Sequence, residues 1–167
     1  EFVHPPAAGA QHVSLLKTFR SHEALINTLN QIAYAGRLIA AVPRNLREGM
    51  IDKFPFPNPR FGPVCFLQVD DGCNTSGAAS LFNEGEAEEI RRVINHLMAR
   101  GVHPARVGVI SFYREQAMFL KKCLPKEIEV ATVDGAQGSE WDFVLVSIAK
   151  SSGAKFDFVS NLHRVVV

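Results

Sequence analysis

Apolar residues recur at helical spacing over residues 22–34, where Ala24, Leu25, Leu29, Ile32 and Ala33 fall on one side. Ser21 stands as an N-cap ahead of them and Gly36 as a stop behind. The clearest helix is predicted over 83–100 (NEGEAEEIRRVINHLMAR): acidic residues fill its first turns, basic ones follow, and Ile90, Val93, Ile94 and Leu97 form one apolar face before Gly101. Residues 113–123 predict a further helix with Ala117, Leu120 and Leu124 inward. Between the helices lie short continuous apolar runs at 64–69 (VCFLQV), 106–111 (RVGVIS), 128–133 (IEVATV) and 142–149 (DFVLVSIA), each expected as a buried strand. Residues 70–77 (DDGCNTSG) read as a turn-rich loop. Residues 43–63, with Pro43, Pro55, Pro57, Pro59 and Pro63, read as a surface excursion without regular structure. Continuous rather than alternating strands separated by helices predict an α/β fold, a parallel sheet covered by helices on both faces.

Composition narrows this without redirecting it. The 167 residues are 47% hydrophobic and 21% charged, which suits a single core. A formal net charge of +1 gives no overall field that demands nucleic acid, so any such binding must come from local groups. Cys65, Cys73 and Cys123 include no CxxC pair and leave one over after any bridge, which suggests reduced thiols in an intracellular compartment. No apolar stretch approaches the roughly 20 residues of a membrane span. Residues 1–12 carry no periodic pattern and are expected to be a lead-in or an artificial scar. Val165, Val166 and Val167 read as a strand whose continuation is missing.

In an open parallel sheet, ligands gather at the carboxyl ends of the strands, which directs attention to three segments. The first is TVDGAQGSEWD, residues 132–142: two glycines permit close backbone approach, while Thr132, Asp134, Gln137 and Glu140 supply hydrogen-bonding groups. The same spacing fits an ordinary connection in which Asp134 and Gly135 make a turn and Trp141 plugs the core. The second, SFYREQ at 111–116, passes from strand to helix and offers backbone N–H groups and Arg114 to a phosphate, or simply starts a helix. The third, FRSH at 19–22, pairs an aromatic ring with a guanidinium that could stack a base and bind a phosphate; the alternative places Phe19 in the core and Arg20 on the surface. The chain has no GxxxxGK[ST] loop, no GxSxG and no HxxxH spacing, so a complete NTPase, a serine-hydrolase elbow and a zinc site are not indicated.

In this order the three segments resemble the motifs of the second RecA-like domain of superfamily 1 helicases, in the group that includes the nonsense-mediated decay, senataxin-like and immunoglobulin mu-binding helicases. Residues 15–38 (LLKTFRSHEALINTLNQIAYAGRL) are similar to the family's L-x-x-Q-Y-R-M-H-P … N-x-x-F-Y-x-G-x-L motif, residues 107–120 (VGVISFYREQAMFL) to I-G-V-I-T-P-Y-x-x-Q, and residues 128–147 (IEVATVDGAQGSEWDFVLVS) to V-x-T-V-D-x-F-Q-G-x-E-x-D-x-I-I-L-S. Residues 160–167 (SNLHRVVV) resemble the lead-in to the last helicase motif and stop before its arginines. Ser21, Glu23, Phe112 and Ala136 depart from the pattern.

The resemblance implies a RecA-like P-loop NTPase fold lacking the P-loop itself, over residues 13–167 and truncated at its C-terminal end. It implies that Phe19 stacks on adenine, that Arg20 reaches the γ-phosphate as the catalytic arginine, and that Gln137, Gly138 and Glu140 contact the nucleotide, the glutamate at the ribose. Ser111, Tyr113, Gln116, Thr132 and Asp134 are implied to face the nucleic acid, and no residue to hold a metal. ATP and magnesium would be held mostly by a first RecA-like domain elsewhere in the same parent chain, single-stranded RNA or DNA would be the other partner, and the setting would be cytoplasmic or nuclear. The alternative is a degenerate, helicase-like scaffold that binds RNA or protein through residues 43–63 without motor activity.

Overall fold

The computed structural model describes residues 13–57, 62–69, 74–76 and 80–149. The expectations for residues 1–12 and 160–167 therefore lie outside the described residues. The chain divides into two compact units, Glu1–Cys65 and Phe66–Val167.

In the first unit, β1 (Lys17–Thr18) runs parallel to β2 (Ile39–Ala40), with Lys17 opposite Ile39 and Thr18 opposite Ala40. The connection is α1 (Glu23–Leu29) continued by a π-helical turn, Asn30–Tyr34. The cap is one residue later than the sequence indicates: His22, not Ser21, is the N-cap, and its Nδ1 accepts from the Ala24 N–H at 3.1 Å. An imidazole nitrogen can do this because any short-range acceptor satisfies one of the helix's orphan donors. Burial of His22 and the approach of Gly62 favour it; at φ +83°, a Cβ on that glycine would lie 2.4 Å from Ala24 Cβ. The widened turn is fixed by Asn30, whose amide donates to Leu38 O at 2.9 Å and accepts from Leu38 N–H at 2.8 Å. Ala35 and Gly36 then take positive φ and release the chain into β2.

Residues 43–63 are less irregular than expected. They hold α2 (Arg44–Arg47) and a 3-10 turn, Ile51–Lys53. Pro43 is the N-cap of α2, where a missing N–H costs the helix no hydrogen bond, and the other prolines come after both turns. Phe54 and Phe56 then meet edge to face at 5.0 Å.

The second unit is built on three parallel strands in the order β6 (Glu129–Thr132), β5 (Val107–Ser111), β7 (Phe143–Ser147). Among the described residues two helices cover it, α3 (Glu84–Ala99) and α4 (Arg114–Cys123). The acidic start of α3 complements the helix dipole, and Asn83 caps it by accepting from Glu86 N–H at 2.9 Å. Its buried stripe of Ala87, Ile90, Val93, Ile94 and Leu97 meets Leu120 of α4 and Val107 and Val109 of β5 in one core. Ile94, Leu97 and Leu120 are completely buried, and each such side chain contributes roughly 1.5–3 kcal/mol relative to exposure.

The sheet's two faces differ among the described residues. Ser147 of β7 reaches Glu86 of α3, which marks the helix-covered face. On the other, Trp141 packs over Gly108, while Val144 and Val146 are 47% and 54% exposed. A Cβ at Gly108 would come within 2.2 Å of the Trp141 ring, so this strand position requires glycine for close approach.

Two expectations are corrected here. Residues 64–69 are irregular, with Phe66 91% exposed. Among the described residues, 64–69 belong to none of the sheets, and an apolar run becomes a strand only by joining a ladder. Conversely, β3 (Asn74–Ser76) pairs antiparallel with β4 (Ser80–Phe82), so part of the expected 70–77 loop is a hairpin arm.

Candidate functional site

The carboxyl ends of β5, β6 and β7 present two kinds of polar residue. An inner set is consumed by the fold. At the end of β5, Ser111 is fully buried; its hydroxyl accepts from Tyr113 N–H at 3.2 Å and its carbonyl from Val133 N–H at 3.1 Å, tying β5 to the segment after β6. Gln116, also fully buried, accepts from Asn83 N–H at 2.8 Å and donates to Asn83 O at 3.1 Å. Both side chains were expected to face nucleic acid. In the structure both are buried and bonded within the unit, Ser111 to Tyr113 N–H and Gln116 to the Asn83 backbone, and in these positions they shape the strand end.

Sequence reasoning missed Glu86. Its carboxylate accepts from Ser147 Oγ at 2.5 Å and from Ala149 N–H at 3.0 Å, clamping the end of β7 to the first turn of α3. The signal was Asn83-x-x-Glu86, a capping-box spacing in which the glutamate ordinarily reaches back to the cap's own N–H. Here Gln116 already occupies that N–H, so Glu86 turns to β7 instead.

The outer set follows β6. Thr132 Oγ1 accepts from Gly135 N–H at 3.2 Å, closing a 3-10 turn, Asp134–Ala136, whose Ala136 is buried. Ser139 N–H then donates to Ala136 O at 3.0 Å, and Gly138 takes φ +92°, which an L side chain would strain. With its inner side pinned, the loop leaves Asp134, Gln137, Gly138 and Glu140 exposed. Trp141 closes it, its Nε1 donating to Glu129 at 3.2 Å. Asp142 accepts from Arg106, whose guanidinium is held above its ordinary pKa by that hydrogen bond and by the carboxylate's charge. Tyr113, the N-cap residue of α4, is partly exposed beside this loop's strand end.

Phe19 and Arg20 belong to the first unit, immediately after β1. Phe19 is 64% exposed and Arg20 is exposed, so Phe19 is not a core residue. The expected site residues thus form two groups: Phe19 with Arg20, and Tyr113, Thr132, Asp134, Gln137, Gly138 and Glu140 at one end of the parallel sheet.

A family model described as an AAA domain matches residues 4–167. Among similar curated proteins, a regulator of nonsense transcripts 1 homolog of Arabidopsis thaliana is 29% identical over 86% of this chain and 12% of its own length. A helicase required for RNAi-mediated heterochromatin assembly of Schizosaccharomyces pombe is 31% identical over 78% of the chain and 14% of its own length. The DNA replication ATP-dependent helicase/nuclease dna2 of the same organism is 27% identical over 98% and 13%. The chain therefore spans a small part, 12–14%, of these three relatives.

Proposed function

Because the chain belongs to the AAA-domain family, within the superfamily 1 helicases related to the regulators of nonsense transcripts, we propose that it supplies the second motor domain of an ATP-dependent helicase. In this reading Phe19 stacks on the nucleobase, Arg20 answers the γ-phosphate charge, and Gln137, Gly138 and Glu140 contact the nucleotide, the carboxylate taking the ribose hydroxyls. Tyr113, Thr132 and Asp134 face single-stranded nucleic acid. The two groups work with a phosphate-cradling domain elsewhere in the parent protein.

The observation that carries the proposal is the pairing of an exposed aromatic with an exposed arginine directly after a parallel strand. Phe19 is apolar enough to be costly in water and gains by covering a base, while a guanidinium is matched to phosphate oxygens. Magnesium has no ligand set here: among the described residues no three His, Cys, Asp or Glu side chains converge, and no step is assigned to it. Nucleotide closure would move this domain relative to its partner and so along the strand.

The test is nucleic-acid-stimulated ATP hydrolysis by the parent protein carrying Arg20→Ala. Loss of one positioned transition-state donor lowers turnover by about 100-fold or more. Wild-type turnover in a folded Arg20→Ala protein would sink the assignment.

A further inference from the structure

The flank of the second unit carries a groove of about 650 Å³ between α4 and β6, the outermost described strand of the parallel sheet. Its strand side offers backbone. In a parallel ladder, successive residues of one strand turn their N–H and C=O alternately towards the neighbouring strand and away from it. Val133 N–H donates to Ser111 O, so Glu129 and Ala131, in the same phase, face β5. Val130 and Thr132 therefore direct both backbone groups to the open edge, where no described strand pairs with them. β6 has neither a proline nor a break in register, two of the devices that blunt a sheet edge.

The helix side offers charge. Arg114 and Lys121 lie seven residues apart on α4, hence on the same face and about 10 Å apart along its axis. Both are exposed, and neither makes an ion pair among the described residues. Met118 between them is 44% exposed. Glu129 also lines the groove, but its carboxylate accepts from Trp141 Nε1 on the opposite face of the sheet and does not answer the two cations.

We infer that this groove docks an extended acidic segment of a protein partner, which pairs with the open edge of β6 beneath α4. An added strand takes its affinity from main-chain hydrogen bonds, here with Val130 and Thr132, and its specificity from alternate side chains. On the face turned to α4 those side chains follow an acidic–x–apolar–x–acidic pattern: the carboxylates meet Arg114 and Lys121, and the apolar residue covers Met118. Same-face positions in a strand recur every ~6.8 Å, so the two carboxylates stand about 13 Å apart, within reach of long basic side chains rooted about 10 Å apart. A sugar-phosphate backbone would meet the two cations but leave the N–H and C=O groups of the strand edge unmatched, which favours a polypeptide. The inference goes beyond the proposed motor role and does not depend on it.

The experiment measures binding of a fluorescein-labelled, end-blocked heptapeptide, TETVTET, to the full chain by anisotropy. Arg114→Ala/Lys121→Ala weakens binding about 5-fold, as the loss of two exposed ion pairs allows. Arg114→Glu/Lys121→Glu reverses the preference, so that TKTVTKT binds better than TETVTET. The same acidic peptide with its backbone amides N-methylated keeps its charges but cannot pair with a strand, and it binds about 10-fold more weakly or worse. Bound peptide slows hydrogen exchange at the Val130 and Thr132 amides. Equal binding of the N-methylated peptide means that charge alone attracts it and overturns the added strand. A folded chain that binds none of the peptides overturns the inference, as does an oligouridylate whose binding depends on Arg114 and Lys121 while that of TETVTET does not, which assigns the groove to nucleic acid. None of these results bears on the role proposed for Arg20 in ATP hydrolysis.

Discussion

Replacing Gln116 by leucine separates an architectural role from a ligand-binding one. The substitution keeps the side chain's volume, so the core of the second unit loses hydrogen bonds without gaining a cavity. Two bonds disappear, those between the Gln116 amide and the backbone of Asn83 at 2.8 and 3.1 Å. Asn83 O keeps a second partner in Ala87 N–H at 3.3 Å, so on that side only the net worth of a bond is lost, about 1 kcal/mol. Asn83 N–H loses its acceptor Gln116 Oε1, and removing one partner of a buried hydrogen bond costs about 1–3 kcal/mol. The sum is about 3 kcal/mol, a large share of the roughly 5–15 kcal/mol of a whole domain. Urea unfolding should show it as a midpoint lowered by about 1–2 M with an unchanged slope. Gln116→Glu sharpens the result. At neutral pH its carboxylate faces Asn83 O without a proton to donate, and burial raises its pKa above the unfolded value of about 4.3, so the penalty is full above the raised pKa and fades as pH falls towards the unfolded value. If the leucine variant unfolds at the wild-type midpoint yet loses affinity for nucleic acid, the inward role is wrong and the contact implied by family resemblance is right.

Two further outcomes follow from geometry. Gly108→Ala places a methyl group inside the Trp141 ring, which must leave its seat on the sheet; the change costs about 1–3 kcal/mol and shifts the emission of the protein's single tryptophan to longer wavelength, whereas unaltered emission would contradict the packing. Glu88 and Glu89 have pKa values lowered chiefly by hydrogen bonds from Arg91 and Arg92, so their stabilising effect is present above about pH 4.5 and is lost on acidification through their lower folded values. In Glu88→Gln/Glu89→Gln the acid limb of a thermal-stability profile should flatten slightly, by an amount that high salt removes.

The long amphipathic helix α3 and the strand–helix–strand order of β5, α4 and β6 were legible in the sequence because local patterning and tertiary burial agree there. Residues 64–69 were not: their apolar run is a strand only if a neighbour supplies a ladder, and periodicity says nothing of neighbours. At the site, the exposed loop residues Asp134, Gln137 and Glu140 were readable as polar groups between two apolar strands. The bonds of Gln116 to the Asn83 backbone were not readable, because a glutamine serves equally as a ligand contact or a buried clamp. Glu86 was overlooked because its partners, Ser147 and Ala149, lie more than sixty residues away in the chain.

The carboxylate of Glu86 has a consequence for how this scaffold can change. By spending Gln116, Asn83, Glu86 and Ser147 on one another, and Ser111 on Tyr113 N–H, the unit closes its strand ends with a polar network built from its own residues. The loop above that network can then vary in chemistry with little effect on folding, while the network tolerates almost no change. Drift in recognition and loss of the fold are thereby assigned to different residues, and a descendant could abandon its original ligand while keeping its architecture intact.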